Sequence, residues 1–329
     1  MQQRVGVVMG GMSADRHVSL QTGKAVADAL ESLGCDVVRI IFGPGERSAD
    51  VLLREANIDV AFLVLQGPGG EDGCIQGMLE WMGIPYTGSS VLAAALATDK
   101  LKAKELFRLH NVPTPPYYVI NENSVDEVPT VHGTFGFPVV VKARGHGSSV
   151  AFARNLSELE RAIRNELSYT SQVLVERFVE GREIHVGVLD GRVLGAVEVA
   201  PKSVPSGGLM CVPNTAGAIV PPQIGHARSL GVVNLALRAV AALECSGACR
   251  VDLMVTEGEN EYVLEVNTLP GLTPTSLLPK IAELAGMSYP ALCEAVLAGA
   301  QLGKLRPARS SKIVTADVPL VPADIAAVG

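Results

Sequence analysis

Two short polar pairs interrupt apolar stretches in the last third of the chain: Arg250-x-Asp252 and Glu265-x-Asn267. Residues i and i+2 share a face of a strand. Each pair therefore points one way, and the flanking Val251, Leu253, Val263, Leu264 and Val266 argue for strands inside a core rather than a polar surface. Two carboxylates and an amide oxygen on neighbouring strands suit Mg²⁺, a hard ion that takes oxygen ligands and is usually shared with phosphate. Arg250 adds a planar fork suited to a carboxylate or a developing oxyanion.

A second group is Lys142-Ala143-Arg144-Gly145-His146-Gly147-Ser148-Ser149-Val150. A lysine ending a strand before a Gly/Ser loop can set an ammonium and backbone N–H groups against phosphate oxygens. It is not a Walker motif, because Lys142 precedes the glycines. A third group, Glu176-Arg177-Phe178-Val179-Glu180 with Glu183 beyond it, can hydrogen-bond an adenine edge and a ribose.

Alternating elements must position these groups. Val5–Met9, Cys35–Ile41 and Asp59–Leu65 read as strands, with helices near His17–Leu33 and Val51–Ala56. That pattern implies a parallel sheet covered on both faces, over residues 1–98. A central α+β unit spans 99–183: a helix Asp99–His110, a break at Val112–Pro116, strands Pro138–Ala143 and Gln172–Glu176, and a helix near Leu156–Glu166. A third unit spans 184–304, with the hairpin Ile184–Leu189 and Val193–Val199, the helix Ala227–Glu244, and strands Arg250–Val255 and Tyr262–Asn267. Between the hairpin and that helix Pro201–Pro222 is rich in Gly, Pro and Ser, and a loop of that length is usually functional or disordered. Residues 305–329 read as a loosely attached tail.

Composition narrows the function. The chain has 329 residues and a net charge of −7, from 27 Lys and Arg against 34 Asp and Glu, which argues against a nucleic-acid partner. Aromatics are only 4%, too few for a base-stacking platform. No run reaches the roughly 18 apolar residues of a membrane span, and the start does not read as a signal peptide, so a cytoplasmic protein with reduced cysteines is expected. His185 and His226 read as surface or satisfied core side chains. Trp81 reads as packing, and Cys211 has no evident base partner for nucleophilic work.

In order and spacing, Lys100, Lys142, Glu176, Glu183, Asp252, Glu265 and Asn267 resemble the ATP-grasp superfamily. Residues 10–19 (Gly-Gly-Met-Ser-Ala-Asp-Arg-His-Val-Ser), Gly69-Gly70-Glu71-Asp72-Gly73, Gln76–Glu80, Pro85–Ser89 and Asp99-Lys100 narrow the resemblance to the D-alanine–D-alanine ligase family. It covers about residues 4–300. The fold it implies is α/β: a three-subdomain ATP-grasp fold, with a Rossmann-like parallel-sheet domain and two α+β subdomains sandwiching ATP. It also implies two Mg²⁺, or Mn²⁺ in their place, on Asp252, Glu265 and Asn267. Lys100 and Lys142 would hold phosphates. Glu176, Phe178 and Val179 would line the adenine site, and Glu183 would take the ribose.

The implied reaction joins two D-amino acids through an acylphosphate, with ADP released, in peptidoglycan precursor synthesis. Asp15 and Ser148 would serve the first substrate, Arg250 the oxyanion, and the Gly271 N–H and Ser276 Oγ the second substrate's carboxylate. The partners implied are small amino acids and a second copy of the chain as a homodimer.

Departures from the family pattern lie on the substrate side. Asp15 stands where Glu is usual, Gln66 where His is usual, and Ala143 where Pro is usual. The loop 201–222 has no Tyr, and Cys211 and Val212 stand at the places of the family's Lys-Tyr pair. The alternative reading is therefore a related ligase of specialised metabolism forming another amide, a dipeptide or an intramolecular lactam. A non-catalytic homologue is opposed by the complete Asp252, Glu265 and Asn267 set.

Overall fold

The computed structural model describes residues 3–145, 150–199, 209–210, 218–258 and 260–303. The chain opens with β1 (Arg4–Gly10), α1 (Arg16–Ser32), β2 (Asp36–Phe42), α2 (Ala49–Ala56) and β3 (Val60–Leu63). The three strands form a parallel sheet in the order β2-β1-β3. After its first residue β1 is buried throughout, as a strand covered on both faces must be. It ends at Gly10, where φ is +94° and a Cβ would stand 2.2 Å from the Phe42 carbonyl oxygen. Only glycine turns the chain there toward α1.

Helices α3 (Cys74–Met82) and α4 (Val91–Thr98) follow. The first buries Ile75, Gln76 and Leu79. Trp81 falls on the opposite side of that helix and is 93% exposed, so the packing expected of it is not found. An apolar sequence had concealed which face met the core.

Next come α5 (Lys100–Leu109), β4 (Tyr117–Asn121), α6 (Val128–His132), β5 (Val139–Ala143), β6 (Val150–Ala153), α7 (Leu156–Leu167) and β7 (Gln172–Arg177). Asp99 caps α5, its carboxylate accepting the N–H groups of Leu101 and Lys102. The Pro-rich connector after α5 is held from three sides: Val112 N–H to Phe107 O at 2.7 Å, Val263 N–H to Pro113 O at 2.8 Å, and Arg177 N–H to Pro116 O at 2.9 Å. The antiparallel strands bury Val139, Val141, Val173 and Val175 under Leu159 and Ile163 of α7. Each such side chain contributes roughly 1.5–3 kcal/mol. By strand alternation, Lys142 and Glu176 take the other face.

The third sheet comprises β8 (Arg182–Leu189), β9 (Arg192–Val199) and, after the chain has visited the second sheet with β10 (Leu209–Met210), β11 (Ala218–Ile219). Then come α8 (His226–Ala242), β12 (Ala248–Val255), β13 (Glu261–Asn267), α9 (Leu277–Leu284) and α10 (Tyr289–Ala298). The strand orders are β10-β6-β5-β7-β4 and β11-β9-β8-β12-β13. Residues 201–222 were expected as loop. Two short pieces of them pair instead, Leu209 with Ala151 and Ala218 with Val199. That stretch therefore touches both antiparallel sheets. Pairings of two residues carry no periodicity that a sequence could reveal.

Helix α8 covers one face of the third sheet, over Ile184, Val186, Val188, Val251 and Leu253. Helix α9 covers part of the opposite face, where Gly187 leaves room for Leu278. The remainder of that face carries the polar residues. The first unit docks on the third through Ser89 and Ser246: Ser89 Oγ donates to Ser246 O at 3.0 Å, and Ser246 Oγ donates to Gly88 O at 3.1 Å. A Cβ on Gly247 would lie 2.7 Å from the Gly88 Cα.

Candidate active site

The two polar pairs meet in register. Arg250 pairs with Asn267 and Asp252 with Glu265 across the antiparallel β12–β13 ladder. Immediately beyond, the register jumps, so that Leu253 faces Val263 and Leu264 has no partner. This bulge lets Val263 return to the core face while Glu265 stays on the polar one. Arg250 grips Asp252 with two hydrogen bonds of 2.7 Å, from Nε and Nη2. Among the described residues Glu265 makes no hydrogen bond or ion pair. Asn267 Oδ1 accepts the Leu269 N–H at 3.0 Å and keeps a lone pair.

His185 belongs to this cluster, which its sequence reading missed. It pairs with Asp252 from β8, is buried, and stands between two carboxylates. Its Nε2 is 2.9 Å from Glu183 Oε1 and its Nδ1 is 2.8 Å from Asp252 Oδ1. The second approach is electrostatic rather than a directed hydrogen bond. Burial works against charge on the imidazole, but Asp252 and Glu183 raise its pKa to about 9. Burial likewise opposes charge on Asp252, yet Arg250 and His185 hold its carboxyl well below the usual range. A signal was present: Glu183-x-His185 has the same i, i+2 spacing as the two pairs already singled out.

Facing this floor is the second sheet. Lys142 Nζ donates to Glu176 Oε2 at 3.0 Å and lies within electrostatic reach of Glu265 and Glu183. Glu176 is 1% exposed. Its other oxygen, Oε1, is 3.4 Å from the ammonium of Lys104, also 1% exposed, and accepts no directed hydrogen bond. Lys104 was not singled out in the sequence, although it lies one helical turn after Lys100. Beyond Glu176, Phe178 and Val179 are half-buried, and the Phe178 ring meets that of Phe152 edge-on at 5.0 Å. Lys100 donates to Gly145 O at 2.9 Å, where the Gly/Ser loop begins. Arg144 fastens the same corner through Asp99, with Nη2 2.6 Å from Oδ2. Ser148 and His146 lie outside the described residues, as do Lys202, Cys211 and Val212.

The first unit closes a third side. Asp15 precedes α1, exposed, and its side chain makes no capping bond. Glu71 accepts the Gly67 N–H at 2.7 Å. Burial raises its pKa to about 7, with Glu265 and Asp15 adding repulsion. Gln66 Nε2 donates to Leu269 O at 3.0 Å, tying this unit to the end of β13. On the far side, Gly271 lies against Ser276, where a Cβ would come within 3.0 Å of Oγ. That hydroxyl pairs with Thr273 at 2.7 Å at the start of α9.

The arrangement can therefore take a polyanion between two sheets: lysines above, and carboxylates able to share a cation with it below. Both segments that flank the cleft match family models. Residues 43–89 match the D-ala D-ala ligase N-terminus and residues 106–298 the D-ala D-ala ligase C-terminus. The chain belongs to the D-alanine–D-alanine ligase family. It is 45% identical over 306 residues to the D-alanine–D-alanine ligase of Geobacter sulfurreducens, covering 91% of this chain and 94% of that one. It is 42% identical over 308 residues to the ligase of Desulforudis audaxviator, covering 92% and 99%.

Among solved structures, the D-alanine–D-alanine ligase of Bacillus anthracis complexed with ATP superposes with a TM-score of 0.76 at 32% identity, over 90% of this chain and 96% of that one. The VanG D-Ala:D-Ser ligase of Enterococcus faecalis shares the fold with a TM-score of 0.78 at 22% identity. The expected ATP-grasp fold is the observed one. The enzyme is an ATP-dependent, ADP-forming ligase that makes a peptide bond. Among the described residues no single helix of this ligase is long and apolar enough to cross a membrane.

Proposed function

We propose that this ligase joins two molecules of D-alanine in peptidoglycan precursor synthesis, using Mg·ATP in the cleft between the second and third sheets. The observation that carries this reading is the register of Asp252 against Glu265 beneath Lys142. The donor chemistry fits Mg²⁺. Among the described residues no three His, Cys, Asp or Glu side chains form a complete metal site, so two carboxylates and the Asn267 oxygen need phosphate oxygens to finish the shell. Glu176 Oε1, buried without a directed hydrogen bond, fits the amino group of adenine.

Asp252, Glu265 and Asn267 would hold the metal, which supplies charge neutralisation at the phosphates. Lys142 and Lys100 bring ammonium groups to the triphosphate. Glu176, Phe178 and Val179 orient the base, and Glu183 the ribose. Asp15 takes the ammonium of the first amino acid, and the family resemblance assigns Ser148 to the same substrate. That substrate's carboxylate attacks the γ-phosphorus, and the bond to the β-phosphate breaks to release ADP. The amine of the second amino acid then attacks the carbonyl of the acylphosphate, gives up a proton and expels inorganic phosphate, its own carboxylate held by the Gly271 N–H and Ser276 Oγ at the start of α9. Arg250 steadies the oxyanion that develops. Most of the acceleration comes from positioning and from preset charge. A homodimer and a cytoplasmic location complete the reading, and light scattering tests the first.

The deciding experiment is ADP release with Mg·ATP and D-alanine, with the product identified by mass. Turnover yielding the dipeptide is expected. ADP release only with some other amino acid would instead assign the enzyme to another amide or lactam.

A further inference from the structure

We propose that Lys104 is a positioning residue of the nucleotide site: it keeps the Glu176 carboxylate in place through a second ion pair when Lys142 turns to the triphosphate. The proposal rests on the reading of this cleft as the ATP site.

Three observations carry it. First, Glu176 is shared. Oε2 accepts from Lys142 at 3.0 Å, and Oε1 lies 3.4 Å from Lys104. The two lysines reach it from different elements, β5 and α5. Second, the lysines are not equivalent. The Lys142 side chain is 14% exposed and sits across the cleft from Glu265 and Glu183, within electrostatic reach of both. Lys104 is 1% exposed, donates to Thr114 Oγ1 at 2.6 Å, and has its ammonium 5.7 Å from the centre of the Tyr117 ring. Lys142 can leave Glu176 for a phosphate. Lys104 is packed in behind and cannot.

Third, a buried carboxylate stripped of its only cation is strongly disfavoured. If Lys142 alone held Glu176, drawing it onto a phosphate would leave that charge uncompensated, and nucleotide binding would be penalised. Lys104 removes the penalty. It also joins Glu176 to Thr114 in the connector that Pro113 and Pro116 anchor to β13 and β7. Burial pulls the ammonium's pKa down to about 8, with Glu176 opposing, so at neutral pH the lysine is still charged.

The test is a double-mutant cycle on the full chain, with Lys104→Met, Glu176→Gln and the double variant. Calorimetry would give the affinity for Mg·ATP and for Mg·ITP, whose base carries an oxygen in place of the amino group. Lys104→Met should weaken ATP binding by roughly tenfold or more and shrink the preference for ATP over ITP, while the KM for D-alanine stays within about twofold. In the Glu176→Gln background the same substitution should cost much less. Lys104→Arg should restore part of the affinity.

Equal losses in both backgrounds, or a loss shared by D-alanine, would overturn the proposal. If Lys104→Met does not fold but the double variant does, the pairing is supported. If neither folds, Lys104 serves the fold alone and the proposal fails. A wild-type enzyme that does not bind Mg·ATP would instead sink the reading of the site itself.

Discussion

Asp252 and Glu265 stand directly opposite each other across the β12–β13 ladder, at the step where Leu264 drops out of register. Like charges placed opposite on a sheet are unfavourable unless something lies between or beside them. Arg250 and His185 engage Asp252, and Glu265 is left for a further cation.

Glu265→Gln should therefore lower kcat by roughly 10²–10³-fold and raise the Mg²⁺ concentration needed for half-maximal rate. Glu265→Asp should retain part of the activity. ADP release across a Mg²⁺ titration measures both. An unchanged Mg²⁺ dependence would mean that Glu265 holds no metal.

His185→Ala removes the group standing between Glu183 and Asp252. By analogy with residues that orient metal ligands, the expected loss is roughly 10–100-fold in Mg²⁺ affinity, seen as weaker nucleotide binding at limiting Mg²⁺. Saturating Mg²⁺ should recover much of it. A uniform loss at every Mg²⁺ concentration would argue for a purely structural histidine.

Glu71 makes stability depend on pH. Its pKa in the folded protein is about 7, above the ordinary 4.5, because burial disfavours its charge. The folded state binds this proton more tightly than the unfolded chain does. The stability it contributes is complete below about pH 4.5 and is lost as pH rises through 7. Glu71→Gln should be more stable than the parent by about 1–3 kcal/mol at pH 8, with the gap closing toward pH 5. Urea unfolding at pH 5, 6.5 and 8 would show it, and a gap independent of pH would contradict it.

Gly247 has φ of +69° and lies against the Gly88 backbone. Gly247→Ala combines left-handed strain of about 1–2 kcal/mol with a backbone clash between the first and third units. A loss of at least about 2 kcal/mol and a lower Tm are expected. A variant as stable as the parent would show that the joint is looser than its geometry.

Much of this was legible in the residues. Strand periodicity placed Arg250 with Asp252 and Glu265 with Asn267, because alternation is a local property of a strand. The parallel sheet at the start of the chain and the β8–β9 hairpin follow from the alternation of apolar runs and turn residues, and most strand and helix ends fall within a residue or two of those expected. The family resemblance rests on the same local motifs.

Other features required the tertiary structure. The bulge at Leu264, the salt link of Arg144 to Asp99, and the docking of Gln66 on Leu269 are long-range events that no spacing encodes. Trp81 shows the limit from the other side: an apolar helix does not say which of its faces the core takes. The plainest case is Lys104. The sequence by itself determined that helix α5 would carry lysines at positions 100 and 104, on one face. Only the packing of α5 against α4 and α8, with Ala103 and Phe107 in the core of the third sheet, decided that the second would be buried beside Glu176, because burial and charge pairing are properties of the assembled chain and not of any stretch of it.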